Sequence, residues 1–272
     1  MINDMIYDYY LSKAVENKKY TDIELGENKK EIREKIKKDK DVNIFYPKSD
    51  DLPENAILIK ITFTLKKPYT SKDEGEFYII GDRLFENPIV RDKFTGLPMV
   101  KPSTWKGHLR FAADKVEWAE KEKKEIIKKL FGSEPEEKES PSKGCLYFFP
   151  TFFIENAKKE VITPLKRDTR TPAKGPINLE VIEPGREGEF YLLYFPYPKD
   201  EIKEENIKND LGFLGRALAL MFYTYGFSAK KTSGFGVVEQ LKEDEVEIYP
   251  EKRKDSFSIL YTRVNKNNNH SA

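Results

Sequence analysis

The sequence predicts an α+β domain in which an antiparallel sheet carries helices on one face. Ile57, Ile59, Ile61, Phe63 and Leu65 alternate with Leu58, Lys60, Thr62, Thr64 and Lys66, the two-residue period of a half-buried strand. Beyond Pro102, the residues Trp105, Leu109, Ala112, Ala113 and Val116 recur at helical spacing and form one apolar stripe. Two aromatic-rich strands follow, Cys145 to Ile154 and Glu189 to Phe195, then a helix with a wide apolar face from Leu211 to Gly226 and a strand GVVEQL. The order strand, helix, strand, strand, helix, strand is a ferredoxin-like βαββαβ core, the arrangement also found in RRM-like modules.

In chain order, residues 1–55 read as an N-terminal charged, helical arm. Its run NKKEIREKIKKDKD sets Ile32 and Ile36 four apart on one helical face. Acidic residues interleave with the basic ones, so a solvated surface helix and a basic arm on a polyanion both fit. The domain proper spans 56–262. After the first strand, KKPYTSKDEGEFYIIGDRLFE is a long connection punctuated by Pro68, Gly75 and Gly81. Pro102 then excludes a helix running in from upstream, which leaves Ser103 or Thr104 as N-cap of a helix predicted to continue to about Phe131. Ser133 to Gly144 is polar and proline-containing, a loop. Pro150 marks the strand Cys145 to Ile154 as an edge strand or as bulged. The stretch between the two aromatic strands, about 155–188, is too long for a tight turn and reads as an insertion. The Asn-rich residues 263–272 are expected to be a disordered tail.

Composition narrows the function classes. The 272 residues carry 48 Lys and Arg against 47 Asp and Glu, a net charge of +1, so any nucleic-acid surface must be a local patch. A charged fraction of 35% leans towards proteins of hot environments. One cysteine, Cys145, precludes an intramolecular disulfide, and with His108 and His270 the only histidines a closed Cys/His zinc site is not available. A reduced, cytoplasmic protein is expected. No apolar run approaches membrane-spanning length and no signal-peptide core is visible, so neither insertion nor secretion is expected.

Two stretches carry anion-binding chemistry. In NPIVRDKFTGLPMVKPSTWKGHLRFAADK, Asn87 to Lys115, a helix starting at Ser103 or Thr104 offers unpaired N–H groups and a positive dipole end. Lys106 stands in its first turn and Arg110 four residues on, along the same face. An ordinary capped amphipathic helix is the alternative. In GFSAKKTSGFG, Gly226 to Gly236, a P-loop is excluded because Ala229 precedes Lys230 and the helix comes before the loop rather than after it. A glycine-permitted turn remains, whose backbone N–H groups with Lys230, Lys231, Thr232 and Ser233 could approach a phosphate; a plain helix-to-strand loop is the alternative.

The residues Arg91, Asp92, Thr95, Gly96, Pro98, Ser103, Thr104, Lys106, Gly107 and Arg110 resemble the signature of the RAMP superfamily, the repeat-associated subunits of CRISPR effector complexes, and most of all the type III (Csm/Cmr-type) backbone subunits. The chain departs from that signature with Lys101 for proline, Pro102 for glycine and Trp105 for leucine. The glycine-rich loop resembles one that meets the guide RNA in these proteins. Arg167, Asp168, Arg170, Thr171, Ala173 and Lys174, with Glu183, Pro184 and Gly185, resemble the family's thumb-like hairpin, which wedges between bases of the guide–target duplex. The resemblance runs from about Ala56 to Leu241.

The resemblance implies a guide-RNA (crRNA)-binding subunit of a multi-subunit antiviral complex, with guide RNA, target RNA and other effector subunits as partners. Ser103, Thr104, Lys106, Arg110, Arg167, Arg170, Lys174, Lys230, Lys231, Thr232 and Ser233 are the residues expected to touch RNA. It also implies an acid ahead of the first helix that acts in metal-dependent cutting of target RNA, with Mg2+ or Mn2+. Asp82 and Glu86 are the catalytic candidates, and no residue is assigned as a metal ligand; the family position is an aspartate, while spacing from Asn87-Pro88 places Glu86 there. Two alternatives stay open: a non-catalytic structural or capping subunit, and a metal-independent guide-processing endoribonuclease with His108 as its base.

Overall fold

In the computed structural model, which describes residues 46–71, 78–80, 83–85, 87–92, 95–133, 141–163, 166, 168–169, 171–172, 175–196 and 203–262, the alternating run forms strand β1 (Ile57–Thr64). Ile57, Ile59, Ile61 and Phe63 are buried on its inner face. The remaining strands are β2 (Tyr78–Ile80), β3 (Arg83–Phe85), β4 (Met99–Val100), β5 (Leu146–Phe148), β6 (Thr151–Phe152), β7 (Lys158–Ile162), β8 (Ile177–Val181), β9 (Glu187–Tyr194) and β10 (Val246–Tyr249). The four-stranded sheet has the order β10-β1-β9-β5, with antiparallel pairing throughout. Counting only these four, the order is fourth, first, third, second, the ferredoxin-like topology that the sequence predicts. Three two-stranded sheets, β2-β3, β4-β6 and β7-β8, decorate it. The β7-β8 pair lies inside the 155–188 insertion, with Lys158 opposite Val181 and Ile162 opposite Ile177.

Helices α1 (Pro102–Asp114), α2 (Glu120–Phe131) and α3 (Glu204–Leu220) cover the inner face. Trp105, Leu109, Ala112 and Ala113 of α1 are buried, as are Leu211, Leu214, Ala217 and Leu218 of α3. Trp105 is the aromatic centre: its ring lies 4.3 Å from Phe227 and 4.8 Å from Phe190. Its indole N–H donates to Thr151 Oγ1 at 3.1 Å, and that hydroxyl donates on to the Glu189 carbonyl at 2.6 Å, so the buried polar tip is satisfied.

Several boundaries differ from expectation. The helix predicted from Ser103 or Thr104 begins one residue earlier, with Pro102 as its first helical residue and Lys101 as an N-cap that makes no side-chain capping hydrogen bond. Proline suits that position, because its missing N–H would have no helical acceptor there. Ser103 and Thr104 therefore sit inside the first turn and cap nothing. The helix also stops at Asp114, where the Lys115 and Val116 amides close back on the Ala112 and Ala113 carbonyls. A continuous helix to Phe131 would be about 44 Å long and overrun the sheet; the break returns Ile126, Leu130 and Phe131 to the core.

Pro150 splits the predicted strand Cys145 to Ile154 in two: β5 is the edge strand on β9, while β6 leaves to pair with β4. The long connection before Asn87 contains the β2-β3 hairpin. The second helix starts at Glu204, seven residues before Leu211, and ends in a π-helical turn, Met221–Tyr225. GVVEQL is not the last strand. Val238 makes an isolated bridge to Leu65, and β10 fills the fourth place. A ten-residue 3-10 helix, Glu251–Leu260, then packs on α3.

Of the N-terminal arm, residues 46–55 are described. Tyr46 stacks on Tyr191 of β9 at 4.0 Å and 11°, on the face of the sheet away from the helices. The helix predicted around Ile32 and Ile36, and the tail 263–272, lie outside the described residues. Among the described residues no helix is long and apolar enough to cross a membrane.

Candidate nucleic-acid interface

The segment ahead of α1 is a built turn. The Asp92 carboxylate accepts from the Thr95 amide at 2.7 Å and from its hydroxyl at 2.8 Å, and the Gly96 amide donates to the Asp92 carbonyl. Gly96 has φ +67°, a left-handed conformation that glycine adopts without strain. The turn brings Arg91 opposite Pro98, and β4 then feeds the chain into α1. The first helical bond there runs from the Trp105 amide to the Lys101 carbonyl, leaving the Ser103 and Thr104 amides ahead of it at the positive end of the dipole. Lys106 is exposed and Arg110 half-buried, one turn apart.

The glycine-rich loop is held by its own backbone. The Ala229 amide donates to the Thr70 carbonyl and the Gly236 amide to the Pro68 carbonyl; Ser233 and Phe235 both donate to Lys230, and Gly234 to Lys231. Those five amides are thus spent on the loop's shape. Gly226, at φ +71°, lets the loop close: a Cβ there would lie 2.3 Å from the Phe235 carbonyl oxygen. Lys231–Ser233 is a single 3-10 turn with Thr232 at its middle. Lys230 and Lys231 are half-buried and Ser233 is exposed.

The two stretches meet. The Lys231 ammonium sits 3.9 Å above the ring of Phe111 on α1, and Lys115 lies 5.6 Å from the same ring. Tyr225, at the end of the π-helical turn, contacts Phe111 at 5.2 Å with the rings nearly perpendicular. His108, one turn before Phe111, has its pKa pushed down to about 4, by burial first and by the Lys231 charge second. Helix and loop therefore form one cationic, aromatic surface.

A buried polar network ties that surface to the insertion. Arg91 and Glu180 form an ion pair at 2.9 Å, with side chains only 8% and 7% exposed. The same Glu180 oxygen accepts from the Ile89 amide at 3.1 Å, and the Glu180 carbonyl accepts from the Thr70 hydroxyl at 2.7 Å. The Ser228 hydroxyl donates to the Thr70 carbonyl at 2.8 Å and accepts from the Thr70 amide at 3.0 Å. One node thus joins the segment before α1, the foot of β8 and the glycine-rich loop.

Of the residues that the sequence singles out, Lys231 meets α1 over Phe111, with Lys230 and Ser233 in the same loop, while Lys106 and Arg110 stand on α1 about 140° and 100° around the helix from Phe111. Arg167, Arg170 and Lys174 lie outside the described residues; in the same stretch the Lys166 amide donates to the Thr171 carbonyl at 2.8 Å. Asp82 and Glu86 also lie outside them. Among the described residues no group of three or more His, Cys, Asp or Glu is gathered to hold a metal ion. Sequence reasoning passed over Phe111, Tyr225 and the Arg91–Glu180 pair. Phe111 had a signal, since it is an aromatic residue off the buried stripe of its helix; the ion pair joins residues 89 apart and had none.

Fold and surface together define a ferredoxin-like domain with a cationic, aromatic patch of the kind that accepts single-stranded nucleic acid. The sequence pattern of the RAMP superfamily matches residues 62–239, and the chain belongs to that superfamily. No curated protein matches it. Among solved structures it is similar to a chain of the type III-B Cmr-beta complex bound to cognate target RNA, with 17% identity, a TM-score of 0.49, and coverage of 80% of this chain and 66% of that one. It is similar at 13% identity and TM-score 0.43 to a chain of a CRISPR RNA-guided surveillance complex, covering 68% of this chain and 66% of the other. A chain of the Csm3-Csm4 subcomplex of the type III-A CRISPR-Cas interference complex is similar at 12% identity and TM-score 0.40, with 71% and 77% covered. The chain therefore spans just under two thirds of the length of the first two.

Proposed function

We propose that this chain is a guide-RNA-binding subunit of a type III RNA-guided antiviral complex. The observation that carries the reading is the meeting of loop and helix, where Lys231 lies over Phe111 and depresses His108. Lys106, Arg110, Lys230 and Lys231 hold backbone phosphates, assisted by the hydroxyls of Ser103, Thr104, Thr232 and Ser233. Arg167, Arg170 and Lys174 serve the duplex at the thumb. The Arg91–Glu180 node fixes the distance between the two regions, and membership of the RAMP superfamily supports the assignment.

The test is RNA affinity across a salt series. Lys106→Ala with Arg110→Ala should weaken binding alike for all sequences and reduce the salt slope by about 0.7 for each phosphate that is no longer neutralised. Unchanged affinity and slope would refute the assignment. Cleavage of target RNA is assigned to Asp82 or Glu86 with a divalent ion, and is tested in the assembled complex with magnesium or manganese. If Asp82→Ala and Glu86→Ala both cut like the parent, the nuclease role belongs to another subunit or to other residues. The guide-processing reading gains nothing from His108, because an imidazole with a pKa of about 4 is a weak base at neutral pH.

A further inference from the structure

RNA-recognition sheets stack bases on aromatic side chains of their open face. Here that face is taken. Tyr191, its central aromatic, is 7% exposed and lies beneath Tyr46. Beside it Lys60 is held by Glu189 at 3.4 Å and Glu247 at 3.0 Å, two carboxylates that oppose a phosphate chain. An aromatic residue suited to a base stands instead on α1. Phe111 is 39% exposed, is braced by Tyr225 and has Lys115 and Lys231 as its cationic neighbours.

The residue one turn before it is Gly107, where an added Cβ would meet nothing within 4 Å. Side chains on a helix lean towards its N-terminus, so Phe111 leans towards the turn that carries Gly107 while its ring stays more than 4 Å from where a Cβ would stand there. With no side chain there, the flank of the ring is open over about one helical turn, or 5.4 Å. Glycine inside a helix weakens it, and no neighbour in the fold requires a glycine here. Open space is what the position supplies.

We propose that Gly107 and Phe111 form a stacking shelf for one unpaired base of a bound single-stranded RNA, while Lys115 and Lys231 turn from the ring to the flanking phosphates. This deepens the guide-RNA reading and rests on it. Base–aromatic stacking tolerates any sequence, as a guide of variable content requires.

The test uses the full chain and an unstructured, dye-labelled single-stranded RNA, with affinity read by anisotropy between about 50 and 200 mM salt. Phe111→Leu keeps the packing against Tyr225 but removes the π face; it should weaken binding about tenfold with the salt slope unchanged. Phe111→Trp should bind at least as well as the parent. Gly107→Leu should match the loss of Phe111→Leu without lowering the thermal midpoint, since leucine favours the helix and nothing crowds it. If Phe111→Leu and Gly107→Leu bind like the parent while Lys106→Ala with Lys231→Ala binds weakly, the shelf is refuted and the phosphate site stands. If the parent binds no RNA, both fall.

Discussion

Removal of the Glu180 carboxylate is the perturbation that best tests how the site is held together. In Glu180→Ala the Arg91 guanidinium, 8% exposed, loses its only carboxylate partner among the described residues, and the Ile89 amide loses its acceptor. Breaking one side of a buried ion pair costs about 3–5 kcal/mol, because the remaining charge stays desolvated. For a domain of this size that corresponds to a fall in thermal midpoint of about 10 °C. Arg91→Met with Glu180→Gln removes both charges together and keeps an oxygen for the Ile89 amide. It should recover most of the loss, since a buried pair replaced as a pair is close to neutral. The assay is calorimetric or denaturant unfolding of the parent, Glu180→Ala, Arg91→Met, Glu180→Gln and the double Arg91→Met with Glu180→Gln, with RNA affinity measured on each at a temperature where it is folded. A Glu180→Ala protein within about 1 kcal/mol of the parent would refute the reasoning, as would a double variant whose loss equals the sum of the singles.

His108 should make stability depend on pH. Its folded pKa of about 4 lies below the ordinary 6.5, so the unfolded chain binds the extra proton; stability contributed by neutral His108 is full above about pH 6.5 and is lost as pH falls towards 4. The total is on the order of 3 kcal/mol. His108→Gln should flatten that window, and in an NMR titration Lys231→Ala should raise the His108 pKa only partway, because burial is the larger cause; no movement would place Lys231 elsewhere. Gly226→Ala should destabilise by about 2 kcal/mol or more, as left-handed backbone strain adds to the 2.3 Å approach to Phe235, and a parent-like thermal midpoint would show that the loop closes differently.

The parts legible in the sequence were those whose signal is local. The alternation of β1 and the apolar stripe of α1 are patterns within one element, and both are present in the structure as read. The break at Asp114 was not legible, because no proline or glycine lies between Lys115 and Phe131; the turn is forced by the length of the sheet. β10 was hidden since VEIY is four residues inside an acidic and basic run, with only Val246 and Ile248 facing inwards. Within the site, Lys106, Lys230 and Lys231 were visible as cations beside a helix start or a glycine-rich turn. Their convergence was not, because Phe111 and Lys231 are joined only through the crossing of α1 and the loop after α3.

That convergence also decides which kind of anion site this is. A loop that cradles phosphate with backbone amides binds by fixed dipoles and adds no charge of its own. Here five loop amides are already bonded within the fold, so the proposed phosphate site leans on the ammonium groups of Lys230 and Lys231 and on Lys106 and Arg110 of α1. Cations that neutralise phosphates release counterions, and affinity should then fall steeply as salt rises. The net charge of +1 sharpens the argument, since the chain as a whole has little long-range attraction for RNA and the slope must come from the patch alone. An affinity insensitive to salt would mean that the loop opens its hydrogen bonds to receive the backbone. Ser228→Ala, which removes the clasp to Thr70 and eases that opening, would then strengthen binding; with the loop closed as it stands, the same variant should weaken it.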